Sequence, residues 1–333
     1  MEICKVMLNF YQRLAEVLQQ REIALATIVQ VRGSVPREVG AQMAICPDGT
    51  VIGTIGGGAG EAKVIQAAQQ VLQTGQKQRI EIDLTGTPQQ TREGVCGGVM
   101  QVWLERWQGD EALGLVTRIQ SMLESGQAGT LVMPVDPARS PYLELASCPT
   151  VLPDSASSFI VSILPPPTLL IVGGGHCAVP LAQIAHLAGF QVVVQDDRPA
   201  FATVERFPQA AQVFPHPIAV AVSALGQVDQ LYAALLTRGY VHDVAALQAL
   251  CQRPLHYIGM IGSEKRVRTV LRAFQQSTES LHSGDRASAL PKIYAPIGLA
   301  IGALTPEEIA VSICAELIQV RRGGTGRSMG IRM

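Results

Sequence analysis

LLIVGGGHCAVPLA, residues 169–182, reads as an apolar strand that enters a glycine turn and leaves it as a helix. Leu169-Leu170-Ile171-Val172 is a short continuous apolar run, the pattern of a strand covered on both faces in a parallel sheet. Gly173, Gly175 and Ala178 then stand as G-x-G-x-x-A, and a helix follows to about Ala188. A second strand is expected at Gln191–Gln195, ending at Asp196-Asp197, so that an acid stands 23 residues past Gly173. Strand, glycine turn, helix, strand and acid in this order predict a dinucleotide-binding, Rossmann-like domain. Gly173 and Gly175 would let backbone approach a phosphate at the helix N-terminus, and Asp196 or Asp197 would hold a ribose. Arg198, beside them, would instead suit a 2′-phosphate, so NAD and NADP both stay open. His176, inside the turn, either reaches a ligand or caps the helix. The alternative is a doubly wound domain that keeps the fold and takes another ligand at the same edge.

The regular pattern continues toward the C-terminus. Strands are expected at 231–237 and 255–261, with helices at 242–251 and 263–275. His242-Asp243 falls where a carboxyl-end loop reaches the cleft, with Asp243 also able to cap its helix. Gly262-Ser263 opens a second strand-to-helix turn followed by Lys265, Arg266 and Arg268. A hydroxyl, free N–H groups and cationic side chains suit an anion there, and a solvated basic helix face is the competing reading. The last helix starts at Thr305-Pro306-Glu307-Glu308, a capping box with proline at the first helical position. A Rossmann-like domain over 168–325 results. It is preceded by a linker at 136–167, a stretch with seven prolines and six serines and one strand-like run, Phe159–Leu164.

The first 135 residues form an α+β domain of their own. A helix at 8–20, a strand at 23–31 and a hairpin at 41–55 around Pro47-Asp48-Gly49 precede a helix near 60–74 that stops at Gly75. Strands at 78–84 and 99–105, a helix at 110–124 and a strand at 129–134 complete it. Its densest signal is GSVPREVGAQMAICPDGTVIGTIGGGAGE, residues 33–61, with five glycines between Gly53 and Gly60. Gly56, Gly57 and Gly58 are tolerated where backbone turns with positive φ or lies against something, and a helix opening there offers N–H groups to an anion. A tight hairpin followed by an ordinary helix is equally consistent with the glycines alone. Cys96, in Glu93-Gly94-Val95-Cys96-Gly97-Gly98, is flanked by glycines that keep bulk away. It is therefore a candidate reactive or metal-binding thiol, unless it is one more small core residue.

Composition narrows the class. With 333 residues the chain holds about two domains. Apolar content of 47%, charged content of 16% and a net charge of −1 describe a globular chain without the basic excess of a nucleic-acid surface. The apolar stretch 159–175 is split by Pro165-Pro166-Pro167, so no membrane span is expected. The N-terminus lacks the apolar core of a signal peptide, and a cytoplasmic location is expected. The seven cysteines are scattered without a C-x-x-C pair, so a disulfide framework, a zinc ribbon and an iron–sulfur cluster are not predicted.

These blocks, in this order, resemble the XdhC/CoxI family of accessory proteins for molybdenum hydroxylases such as xanthine dehydrogenase. The resemblance is carried by GSVPREVGAQMAI (33–45), GTIGGGAGE (53–61), CGG with the strand to Glu105 (96–105) and LLIVGGGHCAVPLA (169–182). DDRPAFATVERFP (196–208), YIGMIGSEKR (257–266) and APIGLAIGALTPEEIAVSICAEL (295–317) extend it. It implies a non-catalytic carrier of molybdenum cofactor (molybdopterin). The carrier protects the cofactor while a cysteine desulfurase helps install a terminal sulfido ligand, and delivers it to the hydroxylase apoenzyme. A homodimer is a further expectation. On this resemblance Gly56–Gly58, Cys96, Gly97 and Gly98 would meet the cargo, with Cys96 as the soft ligand to the metal. Many family members carry two adjacent cysteines where this chain has Val95-Cys96, so one thiol stands at that position. Competing readings are an NAD(P)-dependent oxidoreductase, for which no proton-transfer signature presents itself, and a nucleotide-sensing regulator, which would leave 33–61 unexplained.

Overall fold

The computed structural model describes residues 3–85, 97–145, 157–226, 228–279 and 292–328. The chain divides into two compact units, one spanning Lys5–Pro165 and the other beginning at Pro166.

In the N-terminal unit α1 (Ile3–Leu18) leads into β1 (Ile23–Arg32), the hairpin β2 (Gln42–Ile45) and β3 (Val51–Gly53), and α2 (Gly58–Thr74). Then come β4 (Gln78–Asp83), β5 (Val99–Trp107), α3 (Gly109–Glu124), β6 (Gly129–Pro134), β7 (Tyr142–Glu144) and β8 (Ser158–Ile163). The first five strands form an antiparallel sheet in the order β3-β2-β1-β5-β4. Its two faces follow from the period-2 alternation of β5. Met100, Val102 and Leu104 pack with Val64, Ala68 and Val71 of α2. Trp103 and Trp107 face the other way, into a core with Tyr11 and Leu14 of α1, Val116 and Ile119 of α3, and Leu131 and Met133 of β6. Helix α2 stops where expected, because Gly75 adopts φ 71° and returns its N–H to the Val71 carbonyl.

The proline-rich stretch expected as a linker is largely part of this unit. Strands β7 and β8 pair antiparallel with the two edges of β6, and Leu143, Val161 and Ile163 are buried in the same core. Strand β6 is buried along its whole length and needs a partner on each side, which outweighs the loop-forming composition around it. Pro141 and Pro165 stand just outside the strands, where no ladder bond is lost.

The C-terminal unit is a parallel sheet with helices on both faces. Strand β9 (Thr168–Val172) is followed by α4 (Ala178–Leu187), β10 (Gln191–Gln195), β11 (Gln212–Phe214), α5 (Ile218–Ala224) and β12 (Leu231–Leu235). Helix α6 (Tyr240–Leu250), β13 (Tyr257–Met260), α7 (Glu264–Glu279), β14 (Ile293–Tyr294) and α8 (Pro306–Arg322) complete it. The strand order β11-β10-β9-β12-β13-β14 is 3-2-1-4-5-6 in chain order, the Rossmann arrangement, whose crevice opens where the order reverses beside β9. Helices α4 and α8 cover one face, and α5, α6 and α7 cover the other. The capping box of α8 is present: Thr305 Oγ1 accepts the Glu308 N–H at 3.2 Å and the Glu308 carboxylate accepts the Thr305 N–H at 3.1 Å. No helix among the described residues is long and apolar enough to cross a membrane.

One ion pair ties the N-terminal unit's two sheets together. Glu105 lies on β5 between Trp103 and Trp107 and is 1% exposed, and Lys77 Nζ stands 3.4 Å from its carboxylate. The same ammonium donates to the carbonyls of Pro134 (2.8 Å), Asp136 (3.2 Å) and Arg139 (2.7 Å), fixing the chain after β6. Burial pushes the Glu105 carboxyl above its ordinary range, and Lys77 and the two indole N–H groups offset this only in part. Neither indole closes a bond of ordinary geometry onto it. Lys77→Met would leave a buried carboxylate uncompensated and three carbonyls short of a donor. We predict a loss of about 3 kcal/mol or more in denaturant unfolding of the full chain, against a smaller loss for Glu105→Gln, which keeps an acceptor for Lys77.

Candidate functional site

In the N-terminal unit three loops converge where glycines leave no room for a Cβ. Strands β1 and β5 are neighbours, with Arg32 opposite Val99, so the chain leaving β1 runs directly past the chain entering β5. A Cβ placed on Gly98 would come within 2.4 Å of the Ser34 carbonyl oxygen and 2.6 Å of that of Arg32. One placed on Gly33 would reach the Gly97 carbonyl oxygen at 2.7 Å, and one on Gly56 would reach Pro36 Cγ at 2.4 Å. The Gly33–Pro36 turn is thus wedged between Gly56 and Gly97-Gly98, which brings those predicted site residues together. Gly57, Gly58 and Gly97 differ: each has positive φ (78°, 73° and 76°), and nothing stands within 4 Å of where their side chains would be. They are open backbone.

Glu61, one turn into α2, shapes this opening from behind. Its carboxylate accepts the Thr54 hydroxyl at 2.5 Å and the N–H groups of Ile55 and Gly56 at 3.0 and 3.2 Å. Burial raises the Glu61 carboxyl, but the Thr54 hydroxyl and the N–H groups of residues 55–57 outweigh it and hold it below its ordinary range. Gly57 is the N-cap of α2 and supplies no side-chain cap to the helix, an arrangement whose first N–H groups are chemically suited to an anion. Cys96 lies outside the described residues, as do Gly94 and Val95. Among the described residues no three His, Cys, Asp or Glu side chains gather as a metal site.

The C-terminal unit holds its predicted residues at the carboxyl edge of the parallel sheet. A cavity of about 150 Å³ opens there, lined by Gly173, Asp196, Asp197, Thr237, Arg238 and His242 among others. Gly173 is glycine because a Cβ would meet the Leu236 carbonyl oxygen at 2.5 Å, and Gly174 because one would meet that of Phe201 at 2.3 Å. Gly175 faces open space, and His176 is exposed beside it, outside the cavity wall.

The acids are engaged by the chain itself. Asp196 is 3% exposed. Its Oδ1 accepts the Arg198 main-chain N–H (3.0 Å) and Nε (2.9 Å), and its Oδ2 accepts the Gly174 N–H and Arg198 Nη2, both at 2.8 Å. A carboxylate offers about four lone-pair sites, and here all are filled. Burial works against the charge, but these bonds prevail and the carboxyl is held down to about 2. Arg198 also stacks 3.6 Å over the Phe201 ring. Asp197 takes a fork from Arg238 (2.6 and 3.0 Å), and that bond holds its carboxyl low. The carboxylates expected to hold a ribose are therefore occupied in this structure by Arg198, Gly174 and Arg238.

Gly262 and Ser263 form the turn between β13 and α7, with Ser263 Oγ accepting the Arg266 N–H at 3.4 Å. The cationic face expected behind them is largely committed. Arg266 bonds Asp243 through Nε (2.9 Å) and Nη2 (2.7 Å) and the Thr237 carbonyl at 3.0 Å, and Arg268 pairs with Glu264. Asp243 does not cap α6, whose N-cap is Gly239; it is fully buried and also receives the Thr237 hydroxyl at 2.5 Å. Sequence reading missed Arg238 and this Thr237–Asp243–Arg266 node. Arg238 was discoverable as the first residue beyond the strand expected at 231–237, three past the end of β12.

An antiparallel α+β unit with a glycine cradle, followed by a Rossmann unit of order 3-2-1-4-5-6, defines the class of this chain. Residues 169–317 match the model of the XdhC Rossmann domain, and residues 17–83 match that of the XdhC and CoxI family. The chain is 32% identical over 340 residues to a Bacillus subtilis (strain 168) protein named as a probable xanthine dehydrogenase subunit, covering 94% of this chain and 98% of that one. It is 25% identical over 305 residues to the molybdenum cofactor insertion chaperone PaoD of Escherichia coli (strain K12), covering 89% and 83% respectively. A Bacillus halodurans crystal structure, described as a xanthine dehydrogenase, aligns with a TM-score of 0.71 at 26% identity over 96% of this chain and 98% of that one. The chain belongs to the XdhC and CoxI family.

Two measurements check the geometry. Gly98→Ala sets a methyl group against two backbone carbonyls that cannot yield independently. It should cost roughly 3 kcal/mol in denaturant unfolding. Gly97→Ala meets only open space at positive φ and should cost roughly 1 kcal/mol. For Asp196 the folded-state value is depressed, so its stabilisation is fully present above about pH 4 and is lost as pH falls through about 2. Asp196→Asn should therefore lie about 2 kcal/mol below wild type at pH 7, with the gap closing between pH 4 and 2 in a pH series of thermal unfolding.

Proposed function

We propose that this chain is a non-catalytic carrier. It binds molybdenum cofactor, shields it while a cysteine desulfurase supplies the terminal sulfido ligand, and delivers it to a xanthine dehydrogenase-type molybdenum hydroxylase. The observation that carries this reading is the cradle at Gly33–Pro36, Gly56–Gly58 and Gly97-Gly98. Close packing leaves no room for a Cβ at Gly33, Gly56 or Gly98, and Gly57, Gly58 and Gly97 have open space where their side chains would stand, next to the start of α2, whose N-cap is glycine. Molybdopterin is anionic, so N–H groups at a helix start suit its phosphate. Family membership and the name of the PaoD relative support the same cargo.

Each residue's part follows from its chemistry. Cys96, next in the chain to Gly97, supplies the soft thiolate that molybdenum or its sulfur prefers. Glu61 holds the turn at Thr54–Gly56 and keeps its own charge turned to those donors, away from an anionic ligand. A site made of backbone donors and one soft ligand releases its cargo more readily than a closed cage. A homodimer and a cytoplasmic location belong to the same proposal.

The test is purification with the cofactor-synthesis pathway present, followed by molybdenum and pterin analysis. A mixed assay then measures activation of the hydroxylase apoenzyme. Wild type is expected to retain cofactor. Cys96→Ser, near-equal in size but a hard ligand, should fold normally while retention and activation fall about tenfold. Equal retention and activation by Cys96→Ser would remove the thiol from the mechanism, and absence of molybdenum and pterin from wild type would reject the carrier reading.

A further inference from the structure

Helix α8 carries a face that the C-terminal unit does not use. Ala310, Ile313, Cys314 and Leu317 turn inward, into the core shared with α4 and the sheet. Glu316, the only charged residue between Glu308 and Arg321, is buried as well, and accepts the Tyr257 hydroxyl and, at 2.9 Å, the Gly298 N–H. The outward side is left with Val311 (49% exposed), the half-buried Ala315 and Ile318 (38%). A surface helix ordinarily sets charged side chains on its outer face, and here about three turns expose none. Apolar side chains continue at both ends. Leu304, 87% exposed, and Ile301 stand in the loop before the helix. Leu187, 70% exposed, ends α4 where Arg321 Nη2 donates to the Ala188 carbonyl at 3.3 Å. Single exposed apolar residues need no explanation, but several on one charge-free face mark an interaction surface.

The occupant follows from spacing and charge. Glu308, Val311, Ala315, Ile318 and Arg322 stand alternately three and four residues apart, the narrow seam along which two helices pack lengthwise. Reversed end for end, this seam complements itself. About its midpoint, beside the small Ala315, Val311 mirrors Ile318 and Glu307 mirrors Arg322. An antiparallel second α8 therefore brings Val311 onto the second copy's Ile318 and sets each exposed Glu307 opposite an exposed Arg322. Parallel pairing would put like charges side by side. Glu308 and Arg321 already serve the capping box and the Ala188 carbonyl, so the match is read from Glu307 and Arg322. An unrelated partner would need no such mirror relation. We propose that α8 is the contact through which two copies of this chain pair, antiparallel about a two-fold axis beside Ala315. This pairing rests on the homodimer of the carrier reading and supplies its surface.

Analytical ultracentrifugation of the full-length chain across the micromolar range decides it. Wild type should sediment as a dimer. Val311→Asp places a charge on the seam twice per dimer and should weaken dimerisation at least about hundredfold. Glu307→Arg sets like charges against each other at both ends and should weaken it at least about tenfold. Glu307→Arg combined with Arg322→Glu reverses both signs and should restore the wild-type dimer, an outcome that loss of folding cannot mimic; circular dichroism checks that each variant is folded. A wild-type dimer that Val311→Asp leaves intact rejects this surface and leaves the homodimer standing. If that intact dimer also fails to activate the hydroxylase, the face belongs to the hydroxylase. A double reversal that is folded yet stays dissociated rejects the antiparallel pairing. A wild-type monomer at tens of micromolar rejects both the surface and the homodimer. Molybdenum retention by wild type is read separately, so none of these outcomes decides the cargo.

Discussion

The contact of Gly98 with the carbonyls of Arg32 and Ser34 constrains the N-terminal unit more than any other. Pairing of β1 with β5 brings these backbones alongside each other, and the chain can leave the sheet at that point only if no Cβ intervenes. Pro36 then fills the space that Gly56 leaves, which sets the start of α2 and the orientation of its N–H groups. The open backbone is thus a by-product of packing: Cβ atoms are excluded at Gly33, Gly56 and Gly98 to let three loops meet, and Gly57, Gly58 and Gly97 are left with open space beside them. Glu61 completes the arrangement by tying down the turn from the protein side.

The C-terminal unit reaches a comparable end by different means. Its carboxyl edge is braced by arginine–carboxylate contacts, Arg198 on Asp196 and Arg266 on Asp243, each with one fully or nearly fully buried acid. A buried carboxylate is tolerated when hydrogen bonds replace its hydration, and both acids meet that condition. These contacts hold the ends of β10 and β12 at fixed positions while the glycine turn closes against Leu236 and Phe201. Charge at this edge serves the fold first, and what faces the cavity is the remainder.

Much of this was legible in the sequence because the signals were local. The run Leu169–Val172, the glycines at 173–175, the stop at Gly75 and the capping box at Thr305–Glu308 each act within one turn or strand of themselves. Strands β11 and β14 and helix α5 were missed; they are two to seven residues long and draw their order from neighbours in the sheet. The 136–167 stretch misled because its composition is that of a connection, whereas the need of β6 for partners on both edges is a non-local demand. At the sites, the glycines were found because backbone freedom is a property of one residue. The partners of Asp197 and Asp243 were not assigned, since Arg238 and Arg266 meet them from separate elements of the fold, and Arg198, two residues past Asp196, was read toward a ligand and not toward its neighbour.

Lys77 offers a last consequence. The chain has only five lysines, at positions 5, 63, 77, 265 and 292, and this one has its ammonium clasped by Glu105 and three carbonyls. An acylating reagent cannot meet that amine until the chain after β6 parts from β4 and β5. The extent of its modification, read by mass spectrometry against the four other lysines, would report the opening of one seam between two sheets in an otherwise intact molecule.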